Sequence, residues 1–150
     1  MLDPLLRVVK KSEPPKPLTN REKAYQAARV AKRTKNPMDR VPAGAERKPM
    51  KGSENIARGV QFTWEDDLGK HGLRVHDRDA VAPKGTNAAR GPIYRVEHWR
   101  LYEDVDGNLY DPRRQIDPET GEYDETFANK THIPWPDDIP LPYPDEGRIL

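Results

Sequence analysis

An α+β fold is what this 150-residue sequence predicts: a small, mostly antiparallel sheet with short peripheral helices, preceded by a flexible basic N-terminal arm. Three observations predict it. Aromatic and β-branched residues concentrate after Ile56 in short alternating runs. Asp106-Gly107 supplies a hairpin turn between two of those runs. Sixteen prolines and only 34% hydrophobic residues leave enough apolar area to close a core over part of the chain, and the rest stays extended.

The elements follow in order. Leu2, Leu5, Leu6, Val8 and Val9 form an apolar patch too short for a signal peptide, and a stiff proline cluster follows. Thr19 and Glu22 have capping-box spacing, with Ala24, Ala27, Ala28 and Ala31 at helical intervals, predicting a basic helix over 20–35 that Asn36-Pro37 stops. Residues 38–55 lack periodicity. Residues 1–55 therefore read as a basic linker or arm, and 56–150 as the compact domain with a proline-rich acidic tail. Within that domain Gln61–Trp64 is strand-like. Leu73-Arg74-Val75-His76 alternates, with Leu73 and Val75 on one face and Arg74 and His76 on the other. Residues 83–91 read as a loop, 93–102 as a long strand, 117–125 as an acidic excursion and 131–136 as extended chain. The expected core is Trp64, Val75, Ile93, Val96 and Leu109, with Trp135 over its edge.

The formal charge of +1 hides a gradient: residues 1–52 carry net +9, 53–110 net −2 and 111–150 net −6. A basic arm of this kind either tracks phosphates or is a solvated linker. No apolar run is long enough to cross a membrane as a helix. The absence of cysteine removes disulfides, thiolate metal sites and a cysteine nucleophile. The two serines, Ser12 and Ser53, lie outside the expected compact domain and in no nucleophile elbow. The four histidines lack the close pairing of a zinc helix; His71 and His76 with Asp77 and Asp79 form only a loose set, so no metal or other cofactor is expected.

Phosphate chemistry has more support. Lys84-Gly85-Thr86-Asn87 resembles part of an anion-cradling loop without Walker spacing. Arg74, Arg78, Arg90 and Arg95 lie around it in sequence. Metal-free RNA cleavage needs a base, an acid and a cation at one phosphorus. Histidine serves both proton roles near neutral pH, and His76 with His132, beside Thr131, is the natural pair. The alternative for each is an exposed or hydrogen-bonded histidine. His98, between Glu97 and Trp99, reads as structural.

Several strings in order then resemble the polymorphic toxin type 30 family: Phe62-Thr63-Trp64-Glu65-Asp66-Asp67 with Gly69, Leu73-Arg74-Val75-His76 with Asp79, Ala82-Pro83-x-Gly85-Thr86-Asn87-Ala88-Ala89-x-Gly91, Asp106-Gly107-Asn108 and Thr131-His132-Ile133-Pro134. Thr86 stands where the family usually has serine. The resemblance implies a toxin tip on a larger delivery scaffold, secreted or contact-delivered by a bacterium into a target-cell cytoplasm. It further implies ribonuclease activity on RNA and restraint by an immunity protein, expected to be acidic. On that basis the expected catalytic residues are His76, His132, Arg90 and Thr86. Arg74, Arg78, Lys84, Asn87, Arg95 and Thr131 are expected to hold substrate. The competing readings are a non-catalytic nucleic-acid-binding or structural adaptor, and an ADP-ribosyltransferase, for which no Ser-x-Ser or Glu-x-Glu pattern is placed.

Overall fold

The computed structural model describes residues 16–50 and 55–143. The apolar patch at 2–9, both serines and the end of the acidic tail lie outside these residues. Helix α1, Asn20–Val30, is closed at its start by the expected capping box: Glu22 N–H donates to Thr19 Oγ1 at 3.1 Å and Thr19 N–H to Glu22 Oε1 at 3.0 Å. It ends at Ala31, which is extended, short of the predicted 35. From there the chain crosses to the sheet. Asn36 Oδ1 accepts from Met38 N–H and starts a 3₁₀ turn over Pro37–Arg40.

The sheet is antiparallel, with strands β1 (Glu46–Pro49), β2 (Gly59–Asp66), β3 (Gly69–His76), β4 (Ile93–His98), β5 (Leu101–Glu103) and β6 (Leu109–Tyr110) in spatial order. Strand β7, Ile133–Pro134, pairs with the first residues of β4, while β5 pairs with its last. Two further one-turn helices, α2 (Asn87–Arg90) and α3 (Phe127–Thr131), sit in the connections. The fold is therefore the predicted α+β class with a small antiparallel sheet.

One face of the sheet is the core. Val60, Phe62, Leu73, Val75 and Val96 are buried there with Trp135, under a cover that includes Met38, Val41, Ile139 and Leu141. A second cluster joins Ala24 and Ala28 of α1 to Leu101 and Leu109. Of the expected core residues, Val75, Ile93, Val96, Leu109 and Trp135 are buried, and Trp64 is half-buried against the first cluster.

The structure corrects three local expectations. The run 93–102 is two strands, broken by a turn at Trp99-Arg100 in which Trp99 takes φ 61°. Such a backbone is uncommon for a bulky residue, and no glycine, proline or asparagine marks this turn. The segment 46–49 is an edge strand whose four residues are all exposed, so it carries no alternation to read, and Pro49 is tolerated at such an edge. Residues 127–131, including the Thr131 expected in extended chain, are helical. The Asp106-Gly107 hairpin forms as expected. Asp104 Oδ1 accepts from the amides of Asp106 and Asn108, and Gly107 turns at φ 88°.

Candidate active site

The face opposite the main apolar cluster carries polar and charged side chains beside buried Ile93 and Tyr102, and strand register decides which of them meet. Gln61, Arg74 and Arg95 are successive cross-strand partners on β2, β3 and β4. Because Tyr94 pairs with Ile133, the same register carries His132 to the position beside Arg95. The adjacent row runs Gly59, His76, Ile93, Pro134. His76 and His132, 55 residues apart in sequence, thus come to one patch with Arg74 and Arg95.

Both imidazoles are fixed in the same way. His76 Nδ1 donates to the Asp77 carbonyl at 2.7 Å, and His132 Nδ1 donates to the Ala128 carbonyl. Those bonds set the tautomer and leave each Nε2 as the nitrogen available for proton transfer. Their supports are held in turn. Arg58 pairs with Asp77 at 3.0 Å. Asp124 accepts from Thr126 and from Lys130 at 2.5 Å, anchoring the start of α3; these bonds hold its carboxyl down at about 2. Burial lowers His132 below its ordinary 6.5, and the positive charges of Arg95 and His76 lower it further. His132 is therefore a neutral imidazole near pH 7, suited to accepting a proton. It also lines a cavity of about 580 Å³ together with Asp79 and Thr86.

Arg95 is the cation at the centre of the patch. Its guanidinium lies 3.8 Å from the centroid of the Tyr102 ring, and its Nε is buried without a hydrogen-bond partner among the described residues. Burial pulls its pKa below the ordinary arginine value, and Arg74 adds to that effect. A buried guanidinium nitrogen without an acceptor fits an anion arriving from outside.

The other predicted residues divide by place. Asn87 does not face the open patch: its amide donates to the carbonyls of Asn129 (3.1 Å) and His132 (3.0 Å), and its N–H to Asn129 Oδ1 at 2.8 Å. It therefore positions the His132 segment. Asn87→Ala is expected to cost about 1–2 kcal/mol of stability, since two side-chain bonds are lost at a partly exposed site, as urea unfolding would measure. Thr131 is fully buried with its hydroxyl on the Phe127 carbonyl at 3.1 Å, so it packs α3 and cannot touch a substrate. Thr86 Oγ1 donates to the Pro83 carbonyl at 2.6 Å within the turn. Arg78, Lys84 and Arg90 are exposed on the connection between β3 and β4.

Sequence reasoning missed a second polar constellation, on the core side. His71 and His98 face each other across β3 and β4 with their Nδ1 atoms 2.8 Å apart, so one donates and the other accepts. His71 Nε2 lies 2.7 Å from Asp66, and His98 Nε2 is bonded to Glu103. Glu103 is also bound by Arg33 at 2.6 Å and Arg40 at 2.5 Å. The chain Asp66–His71–His98–Glu103 joins four strands and both arginines of the α1–β1 connection. Only the strand register brings these residues together; their spacing in sequence carries no signal.

The family model described as bacterial toxin 30 matches residues 36–136, more than half of the sequence. The chain belongs to the bacterial toxin 30 family. The matched span contains every strand of the toxin domain and the His76, Arg95 and His132 patch, and begins after α1. No curated protein and no solved structure matches the chain. Among the described residues of the toxin domain, no helix is long and apolar enough to cross a membrane.

Proposed function

We propose that this toxin domain is an endoribonuclease that cleaves RNA by transphosphorylation, without a metal or other cofactor. The observation that supports it is the pairing of two imidazoles on one polar patch, each with Nδ1 tied to a backbone carbonyl. They flank a guanidinium with a nitrogen that has no partner among the described residues. In this reading His132 Nε2 takes the proton from the ribose 2′-hydroxyl as that oxygen attacks phosphorus. The 5′-oxygen leaves with the proton held on His76 Nε2. The products are a 2′,3′-cyclic phosphate and a 5′-hydroxyl end. Arg95 and Arg74 face the negative charge that grows on the phosphorane oxygens. Arg78, Lys84 and Arg90, exposed on the β3–β4 connection, attract the RNA backbone, and Thr86 borders the cavity at His132.

The same exposed cations suit an acidic immunity protein, because positive charge speeds the approach of a negative partner. A delivery scaffold upstream of the toxin domain, carrying it out of the producing bacterium into a target cytoplasm, completes the proposed context. The deciding experiment incubates the purified protein with total RNA in EDTA and maps the product ends. Fragments with 2′,3′-cyclic phosphate and 5′-hydroxyl ends are expected. Intact RNA, or cleavage abolished by the chelator, would overturn the reading.

A further inference from the structure

On the polar face, the next row along β4 from Arg95 runs Thr63, Gly72, Glu97 and Tyr102. Gly72 lies in mid-strand, where a side chain would ordinarily fill the surface. A Cβ placed there would meet Glu97 Oε1 at 3.6 Å and the Phe62 carbonyl oxygen at the same distance, so the Glu97 carboxylate lies over the buried glycine. Glu97 lines a cleft of about 510 Å³ with Thr63, Lys70 and Trp99, and with the carboxylates of Glu46 and Glu65. Trp99 is half-buried, held on the β3 edge by its N–H to the Lys70 carbonyl at 2.8 Å. Tyr102 ties the two rows together. Its ring carries Arg95, while burial and the neighbouring Glu97 carboxylate push its phenol above the ordinary value.

We infer that the cleft lined by Glu97 and Trp99 is a nucleobase subsite that selects guanine. The inference rests on the ribonuclease reading for the adjoining phosphate site and adds to it the identity of the base. Arg95 and Glu97 lie two residues apart on one face, about 7 Å along the strand. That spacing is of the order separating a phosphate from the base of the same nucleotide. A cleft with an indole in its lining suits an aromatic ring. Of the three carboxylates in the lining, Glu97 is the one on the strand that carries Arg95, and it makes the choice among bases. An ionised carboxylate only accepts hydrogen bonds. Guanine alone presents two adjacent donors, N1–H and the 2-amino group, on its pairing edge. Adenine and cytosine set an acceptor beside their amino group, and uracil flanks its single donor with two acceptors; each would turn a lone pair toward Glu97.

The test uses four oligodeoxynucleotides, each with one ribonucleotide (rG, rA, rC or rU), and in parallel the binding of the four nucleoside 3′-monophosphates by calorimetry. Cleavage after rG is expected to exceed the others by about 10- to 100-fold, the discrimination usual for one bidentate contact. Glu97→Gln offers one donor and one acceptor, the complement of adenine and of cytosine alike, so it should lower cleavage after rG and shift the preference toward rA and rC. A variant that merely loosened the fold would lower all four alike, and thermal unfolding of Glu97→Gln checks its fold independently. Equal cleavage after all four bases would overturn the subsite while leaving the ribonuclease standing. Binding of guanosine 3′-monophosphate that Glu97→Gln weakens, with no cleavage of any oligonucleotide, would retain the subsite and remove the ribonuclease. Neither cleavage nor preferential binding would remove both.

Discussion

His132→Ala is expected to lower the rate of RNA cleavage by about two to four orders of magnitude, and His76→Ala by a similar factor, with the fold retained in both. Neither imidazole belongs to the two apolar clusters, but His76 is buried beside Ile93, so thermal unfolding of each variant accompanies the rates. The pH profile separates their roles. Neutral His132 is the reactive form of the base, so the rate should fall as pH drops through its value, which burial, Arg95 and His76 set below 6.5. His76→Ala removes the proton donor to the leaving oxygen instead, so it should lower the rate while the acidic limb set by His132 stays in place. Arg95→Ala supplies a further reading. Without that positive charge the His132 value rises, and the acidic limb should move to higher pH in addition to any fall in rate. Burial would still depress it, so the shift is partial. Rates for both histidine variants within about threefold of wild type would discard the acid–base pair.

What the sequence disclosed depended on how local the signal was. The capping box at Thr19, the alternation through Leu73–His76 and the Asp106-Gly107 turn are written within a few residues, and each has its structural counterpart. The turn at Trp99-Arg100 has no such signal, because Trp99 adopts its positive φ under the constraint of pairing on both sides. Residues 20–49, expected in the linker, place α1 on Leu101 and Leu109, Arg33 and Arg40 on Glu103, and β1 on the sheet edge. An alanine stripe buries little area, so it looks weak in sequence, yet it allows a close approach of helix to sheet. Within the candidate site, the residue types were legible and their directions were not. Asn87 and Thr131 have the hydroxyl and amide groups of a phosphate site, but they bond to backbone carbonyls around α3. Arg95 and His132 meet because β7 pairs with β4, a contact between segments some forty residues apart.

Glu103→Gln should be the most destabilising single change in the toxin domain, about 3–5 kcal/mol by urea unfolding at neutral pH. Glu103 is 1% exposed, and its two oxygens receive Arg33, Arg40 and His98. Glutamine keeps the volume and one acceptor but removes the charge, leaving two cations without their counter-ion. Arg40 has only 12% of its side chain exposed against 29% for Arg33, so Arg40 bears more of that loss and Arg40→Met should cost more than Arg33→Met. Combining Arg40→Met with Glu103→Gln should cost less than the two changes added together, because the second removes a charge that the first has already left unpaired. The pH dependence has a definite sign. Burial alone would raise the Glu103 carboxyl, but hydrogen bonds from His98 and Arg40 outweigh it and hold the group below its ordinary 4.5. A carboxyl depressed in the folded state contributes stability that is fully present above its unfolded value. That contribution is lost as pH falls from 4.5 through the lower folded value. The gap between wild type and Glu103→Gln should therefore be constant from neutral pH down to about 5 and close progressively in acid. A gap that stayed open at the lowest pH would place the cost in how the new amide packs rather than in the lost charge. A gap below about 1 kcal/mol at neutral pH would mean that solvent already screens the two arginines.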